Sequence, residues 1–310
     1  MPMFDGHAFY EDDTAASRTI FQTSWPAMWH VLSGGKDGQP GDRVFAGIVA
    51  QEHPEVEPIA ALRLAARTRL VRYMVAAASI RQLIVVGCDL PLLDEVHQVA
   101  DRVAPGVQVV YATGDRFVMI HARGQLGGAN VHHVDAAATD PAAVLAGAAS
   151  VLNLREPVGV LILNTLDAMD AGAARDLTRA FADAVAPRSH LAFTHLTTKT
   201  APVANSEHPV EGELRELFRR WQIPPPVLRQ PDEIGGLLDG WNLLEPGVTS
   251  VPQWRPESLL HQLGPDLPGR IRLVVATARK RAAPAFSMTP AHLRVPGEPD
   301  PSNPERTLCP

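Results

Sequence analysis

The chain is expected to fold as an α/β protein built on a doubly wound, mostly parallel sheet. Three observations carry this expectation. From residue 83 onward, short apolar runs alternate with amphipathic stretches of helical period. The first run, 83–86, passes directly into a turn at Gly87, and open α/β sheets present their ligand edge at such carboxyl ends of strands. The connections between runs span a dozen or more residues, which suits right-handed crossovers between parallel strands.

The segment up to residue 24 is polar, without clear period, and reads as an arm. Residues 25–32 are aromatic and apolar, and they run into the polar turn Ser33, Gly34, Gly35, Lys36, Asp37, Gly38. Helices are expected over 40–53 and 59–78, punctuated by Pro54 and Pro58. Strands follow at 83–86, 108–112, 131–134, 158–163, 190–194 and 271–277. The intervening helices fall at 93–103, 116–126, 141–153 and 171–185, with two more at 211–221 and 232–238. Pro224, Pro225 and Pro226 forbid a continuous helix between the last two. Prolines recur from Pro284 to Pro310 and cannot enter a sheet interior, so 281–310 reads as a tail.

Bulk composition narrows the function classes. A chain of 310 residues can hold one large α/β domain with extensions. A net charge of −6 and an isoelectric point near 6.0 argue against a nucleic-acid partner, which needs a basic face. No apolar run approaches a membrane span, and the acidic start lacks the basic flank and apolar core of a signal peptide. Of the two cysteines, Cys309 lies at the end of the tail, so neither a disulfide framework nor a zinc site is implied. Cytoplasmic residence is the simple reading, with a small-molecule substrate, and a homodimer is one assembly left open. Abundant Ala, Arg and Pro beside scarce Lys suggest a bacterial source.

Several motifs, in a fixed order, resemble one group. These are Gly34, Gly35, Lys36 and Asp37 followed by Asp42 and Arg43, then Arg81 and Gln82 leading to Gly87, Leu90 and Pro91. Val96, His97 and the run Arg102, Val103, Ala104, Pro105 match next. Asp135, the pairs Ala186–Pro187 and Thr194–His195, and the run from Val251 to Pro256 complete the set. Over 25–280 the chain resembles the actinobacterial S-adenosylmethionine-dependent methyltransferase family once catalogued as a domain of unknown function. The resemblance implies a Rossmann-like class I methyltransferase fold over 59–280, a helical cover over 25–58, and an S-adenosylmethionine pocket at the sheet's carboxyl edge.

Set against that family, three positions depart. The family's cofactor turn resembles Asp-x-Gly-x-Gly-x-Pro, whereas Val85 stands at the acidic position and Asp89 at the second glycine. Thr113 occupies the place of the acidic residue that accepts both ribose hydroxyls, and Asp115 lies two residues on. Leu166, Asp167 and Ala168 stand where relatives carry a His and an aromatic. An eroded motif of this kind implies weakened cofactor binding, since contacts are lost and a carboxylate is added.

The candidate cofactor-binding residues are therefore Gly34, Gly35, Lys36, Asp37, Arg43, Gly87, Asp89, Asp115 and Asp135. Asp89 reads either as the cap of the next helix or as a residue facing a repurposed pocket. Asp135 reads as a contact near an adenine amino group, as the resemblance implies, or as a turn residue ahead of Pro141. Asp167 and His195 sit at the ends of adjacent strands and are the candidate catalytic pair, a carboxylate beside an imidazole able to take a proton. His132 and His133 lack a spaced carboxylate or cysteine, so no metal is expected. Function reads as methyl transfer to a small molecule, in specialised metabolism. The alternatives are a repurposed enzyme of cyclase or isomerase type, or a ligand-binding protein.

Overall fold

A computed structural model describes residues 22–163, 165–198, 209–255 and 269–281. The arm to residue 21 and the tail from residue 282 lie outside the described residues. Apolar side chains spaced three and four apart start the chain in helices α1 (Trp25–Leu32), α2 (Pro40–Glu52) and α3 (Val56–Arg72), the last continued by a π-helical turn, Tyr73–Ala77. Then come β1 (Gln82–Val86), α4 (Val96–Val103), β2 (Gln108–Thr113), α5 (Arg116–Gln125), β3 (Val131–Asp135) and α6 (Pro141–Ala149). Next are β4 (Gly159–Ile162), α7 (Ala171–Ala184), β5 (His190–Thr198), α8 (Pro209–Arg220) and α9 (Pro231–Gly235). The chain closes the sheet with β6 (Trp241–Leu243), β7 (Thr249–Ser250) and β8 (Ile271–Lys280).

The strands form one eight-stranded sheet in the order β3-β2-β1-β4-β5-β8-β6, with β7 also paired to β8. The first five run parallel, and β8 is antiparallel to β5, β6 and β7. Chain order reverses between β1 and β4, which makes the carboxyl ends of β1, β2 and β4 a topological switch point where open sheets bind ligands. Strand alternation sends Leu83, Val85, Val109 and Tyr111 to a core shared with α1–α5 and α8. Ile84, Val86, Val110 and Ala112 go to a second core with α6, α7 and Trp241. The expected Rossmann-like sheet is therefore present, wound on both faces. Among the described residues no helix is long and apolar enough to cross a membrane.

Departures from the expected boundaries have local causes. The helix expected from 93 begins at Val96, because Asp94 adopts φ +58 and Glu95 is the N-cap, its carboxylate accepting from Leu92 N–H at 2.9 Å. The helix expected over 232–238 stops at Gly235, where Gly236 follows. The sequence reading missed β6 and β7, which have only three and two residues and too little pattern to alternate.

Candidate functional site

Two cavities open at the carboxyl ends of the central strands, and both reach Gly87, Cys88 and Asp89. The outer one, about 250 Å³, runs from the β1 turn past Thr113, Gly114 and Asp115 to Ala137 beyond β3 and Thr165 beyond β4. Trp25 and Pro26 of α1 close it from the side. The inner one, about 40 Å³, lies between Val85 and Tyr111 of the sheet and Trp29, Arg63 and Glu95 of the covering helices.

Gly87 shapes the turn that separates the strand from the ligand edge. It sits at φ +69, and a Cβ there would come 2.2 Å from Thr165 Oγ1. The Thr165 hydroxyl in turn lies within hydrogen-bond reach of the Val86 carbonyl at 3.2 Å, so the β1 and β4 turns are packed together. Only a residue without a side chain fits in both respects. Asp115 caps α5, its Oδ1 accepting from Phe117 N–H at 2.9 Å and Val118 N–H at 3.1 Å, while its side chain borders the outer cavity.

Asp89 does not cap α4, since Glu95 holds that position. Its Oδ2 instead accepts from Arg63 Nη2 at 2.7 Å, and Arg63 lies over the Trp29 ring at 4.1 Å. The capping alternative is thereby corrected, and the carboxylate added at this position is compensated by a buried guanidinium. Burial pulls the Arg63 pKa down to about 10, opposed by Asp89, so Arg63 stays charged at neutral pH. One turn along α3, Arg67 Nη1 donates to Glu95 Oε1 at 2.7 Å. Desolvation raises the Glu95 pKa and the Arg67 charge opposes the rise. Cys88 is buried, which pushes its thiol well above the usual range and keeps it protonated.

The Gly34–Asp37 turn lines neither cavity; it wraps His30, which borders the inner one. A Cβ on Gly35 would fall 2.2 Å from His30 Nε2, and Asp37 N–H donates to that same nitrogen at 3.1 Å. Asp37 Oδ2 accepts from Gln125 Nε2 at 3.0 Å, and Arg43 Nη2 donates to the Lys36 carbonyl at 3.0 Å. The turn thus ties α1 to α2 and α5. Asp135 is exposed, 3.9 Å from Arg123 Nη2, and outside both cavity walls, while Asp140 caps α6.

Asp167 and His195 do meet. His195 Nδ1 lies 2.9 Å from Asp167 Oδ1, which also accepts from Leu196 N–H at 2.7 Å. On its other side, His195 Nε2 lies 2.8 Å from Arg229 Nη1. A guanidinium only donates, so Nε2 accepts and Nδ1 carries the proton. Arg229 further donates to the carbonyls of Leu166 and Met169. The two side chains of the pair are 0% and 1% exposed and line neither cavity. Each nitrogen of the imidazole is engaged inside the protein, so the ring has no basic atom left to reach a substrate.

Arg63, Arg67, Thr165 and Arg229 escaped the sequence reading. One signal was available: Ile59, Ala60, Arg63, Ala66, Arg67, Leu70 and Val71 form the buried stripe of α3, and two arginines at core positions of a helix call for partners. Arg229 sits among prolines and polar residues and offers no such pattern.

A family model for S-adenosyl methyltransferases matches residues 14–281. Among solved structures, the fold is similar to a DUF574 family protein from Streptomyces avermitilis MA-4680, at a TM-score of 0.75 and 24% identity, covering 84% of this chain and 98% of that one. It is likewise similar to a candidate methyltransferase from Thermobifida fusca YX, at a TM-score of 0.74 and 25% identity, covering 84% and 96%. No curated protein matches the chain. With the match extending over both cavities and every strand of the sheet, the chain belongs to the S-adenosyl methyltransferase family.

Proposed function

We propose that this protein methylates a small molecule, in bacterial specialised metabolism and in the cytoplasm, with the cofactor's nucleoside in the outer cavity. The observation that carries the reading is the outer cavity itself, which joins the carboxyl ends of β1, β2, β3 and β4 under Trp25 and Pro26. The residues fit a nucleoside. Asp115 commits Oδ1 to its helix and leaves Oδ2 for a ribose hydroxyl, and Ala137, Ala138 and Met169 supply apolar walls for a base.

S-adenosylmethionine, when bound, supplies an activated methyl group on a sulfonium. The chain's own part is to hold and orient. Cys88 is locked as a thiol, and the His30 nitrogen free of a proton is taken by Asp37 N–H. Neither acts as a general base, so rate comes from proximity and from excluding water beneath α1. We infer that α1 and α2 serve as the cover.

Calorimetric titration with S-adenosylmethionine and S-adenosylhomocysteine tests the reading, followed by transfer of labelled methyl into a bacterial metabolite extract. Binding together with a labelled small product is expected; absence of binding would overturn it. Binding without any transfer would favour the repurposed or ligand-binding alternative, which the Asp89–Arg63 pair at the family's glycine position supports.

A further inference from the structure

Trp254 and Arg255, in the motif run that begins at Val251, line neither cavity at the carboxyl edge. They border a third cavity, of about 270 Å³, together with Arg69, Arg72 and Tyr73. It lies at the opposite edge of the sheet: Tyr73 follows α3, and its ring meets that of His190, the first residue of β5, at 5.9 Å. The lining holds three arginines and no acid, in a chain whose net charge is −6. The distance from the other site is set by α3, since nine residues of helix from Arg63 to Arg72 span about 13 Å.

Arg69 and Arg72 have partners of their own, and Arg69 braces the wall by donating to the carbonyls of Trp254 at 2.8 Å and Val251 at 2.7 Å. The uncommitted charge is that of Arg255. Its guanidinium lies 4.2 Å from the Tyr73 ring centroid and 5.7 Å from that of Trp254, and it meets no carboxylate among the described residues. Stacking on a ring holds the guanidinium plane and leaves the N–H groups along its edge for a ligand. Arg255 adopts φ +41, a left-handed conformation that is costly for a residue with a side chain, directly after the carbonyl that Arg69 grips. A further donor on this wall, Trp254 Nε1, is buried without a hydrogen-bond partner among the described residues. Burial lowers the His190 pKa, and Arg279, Arg188 and Arg255 add to the fall, so these three guanidinium groups act on one place from three separate segments. Neither Arg188 nor Arg279 has an ion pair among the described residues.

We propose that the cavity beside Arg255 binds a small phosphorylated molecule, at a site separate from that of methyl transfer, with phosphoryl oxygens on the Arg255 guanidinium. A guanidinium fork fits carboxylate and phosphoryl groups alike, so charge decides between them. A phosphoryl group gathers close to two negative charges on one tetrahedral centre at neutral pH, where a carboxylate carries one. Three unpaired guanidinium groups acting on one place favour the denser charge. A cavity bordered by five residues suits a small molecule, not a polymer.

The test is calorimetric titration of the full chain with inorganic pyrophosphate, and with citrate at equal ionic strength. Pyrophosphate is expected to bind with a dissociation constant of about 1 mM or below, and citrate more weakly. Arg255→Ala should weaken pyrophosphate by about tenfold or more, the effect of one charge-assisted hydrogen bond, at an unchanged melting temperature. Arg255→Lys keeps the charge and loses the fork, so it decides the matter should Arg255→Ala lose stability; a weakening of about threefold or more is expected. Undetectable pyrophosphate binding by the native protein would overturn the site. Unchanged binding in the Arg255 variants would place the anion elsewhere, on Arg63 or Arg67 for example, and would overturn it equally. Citrate binding as tight as that of pyrophosphate would overturn the phosphoryl assignment.

Discussion

Asp167 Oδ1 receives two protons' worth of hydrogen bonding, from His195 Nδ1 at 2.9 Å and from Leu196 N–H at 2.7 Å. This carboxylate fastens the turn after β4 to strand β5, and Arg229 closes the other end of the imidazole. The arrangement has the residue types of a proton relay and the burial of a rivet. Removing His195 leaves both a carboxylate oxygen and a buried guanidinium short of a partner. His195→Ala is therefore expected to lower unfolding stability by about 2–4 kcal/mol, measured by urea denaturation, with ligand affinity of the remaining folded protein unchanged. Loss of turnover without loss of stability would instead mark the pair as catalytic.

Gly87→Ala tests the packing of the β1 turn. The added methyl meets Thr165 at 2.2 Å and the backbone must hold φ +69 with a side chain, so a loss of about 1–3 kcal/mol is expected. In Gly87→Ala/Thr165→Ala the 2.2 Å collision disappears, leaving the φ strain and a close 3.1 Å approach to the Cβ at position 165. The double variant should therefore be more stable than the sum of the singles predicts, a coupling read from a thermal or urea double-mutant cycle.

Acid sensitivity follows from the histidines. Desolvation lowers the pKa of His30, His53, His97, His133 and His190 below the ordinary value of 6.5. A depressed folded-state pKa means that the unfolded chain binds protons first as pH falls. Stability from these groups is thus complete above about pH 6.5 and is lost as pH drops through the lowered values. Each proton taken up only on unfolding adds about 1.4 kcal/mol per pH unit to the slope. Urea denaturation between pH 7.5 and 5.5, about the span in which histidines titrate, should show falling stability; a flat profile would contradict the partial desolvation of these rings.

How far the sequence could be read depends on the range of the interaction. Periodicity is local, so β1 to β5 and their helices were visible, and strand order then placed Asp167 and His195 at neighbouring ends. What periodicity cannot convey is a partner across the fold. Asp89 looked like a cap because an acid before a helix is a common cap. Its guanidinium partner lies 26 residues earlier on another helix. Likewise the Gly34–Asp37 turn is a cofactor-binding candidate from family position alone, whereas its contacts enclose His30. Burial of His195 was also invisible, since Arg229 approaches from 34 residues downstream.

Asp115 offers the sharpest separation of structure from the proposed binding, because its helix cap uses Oδ1 alone. Oδ1 caps α5 through Phe117 and Val118, and the side chain borders the outer cavity. Asn caps nearly as well as Asp, so Asp115→Asn should keep thermal stability within a few tenths of a kcal/mol, while Asp115→Ala should lose about 1 kcal/mol. Binding should rank differently. If Oδ2 accepts a ribose hydroxyl, an asparagine replaces a charged acceptor with a neutral amide and should weaken S-adenosylhomocysteine by about tenfold or more. Alanine should weaken it at least as much. Equal affinity for the native and Asp115→Asn proteins, with the cap intact by melting temperature, would show that the carboxylate serves the helix alone and that the ribose is held elsewhere along the β2 turn.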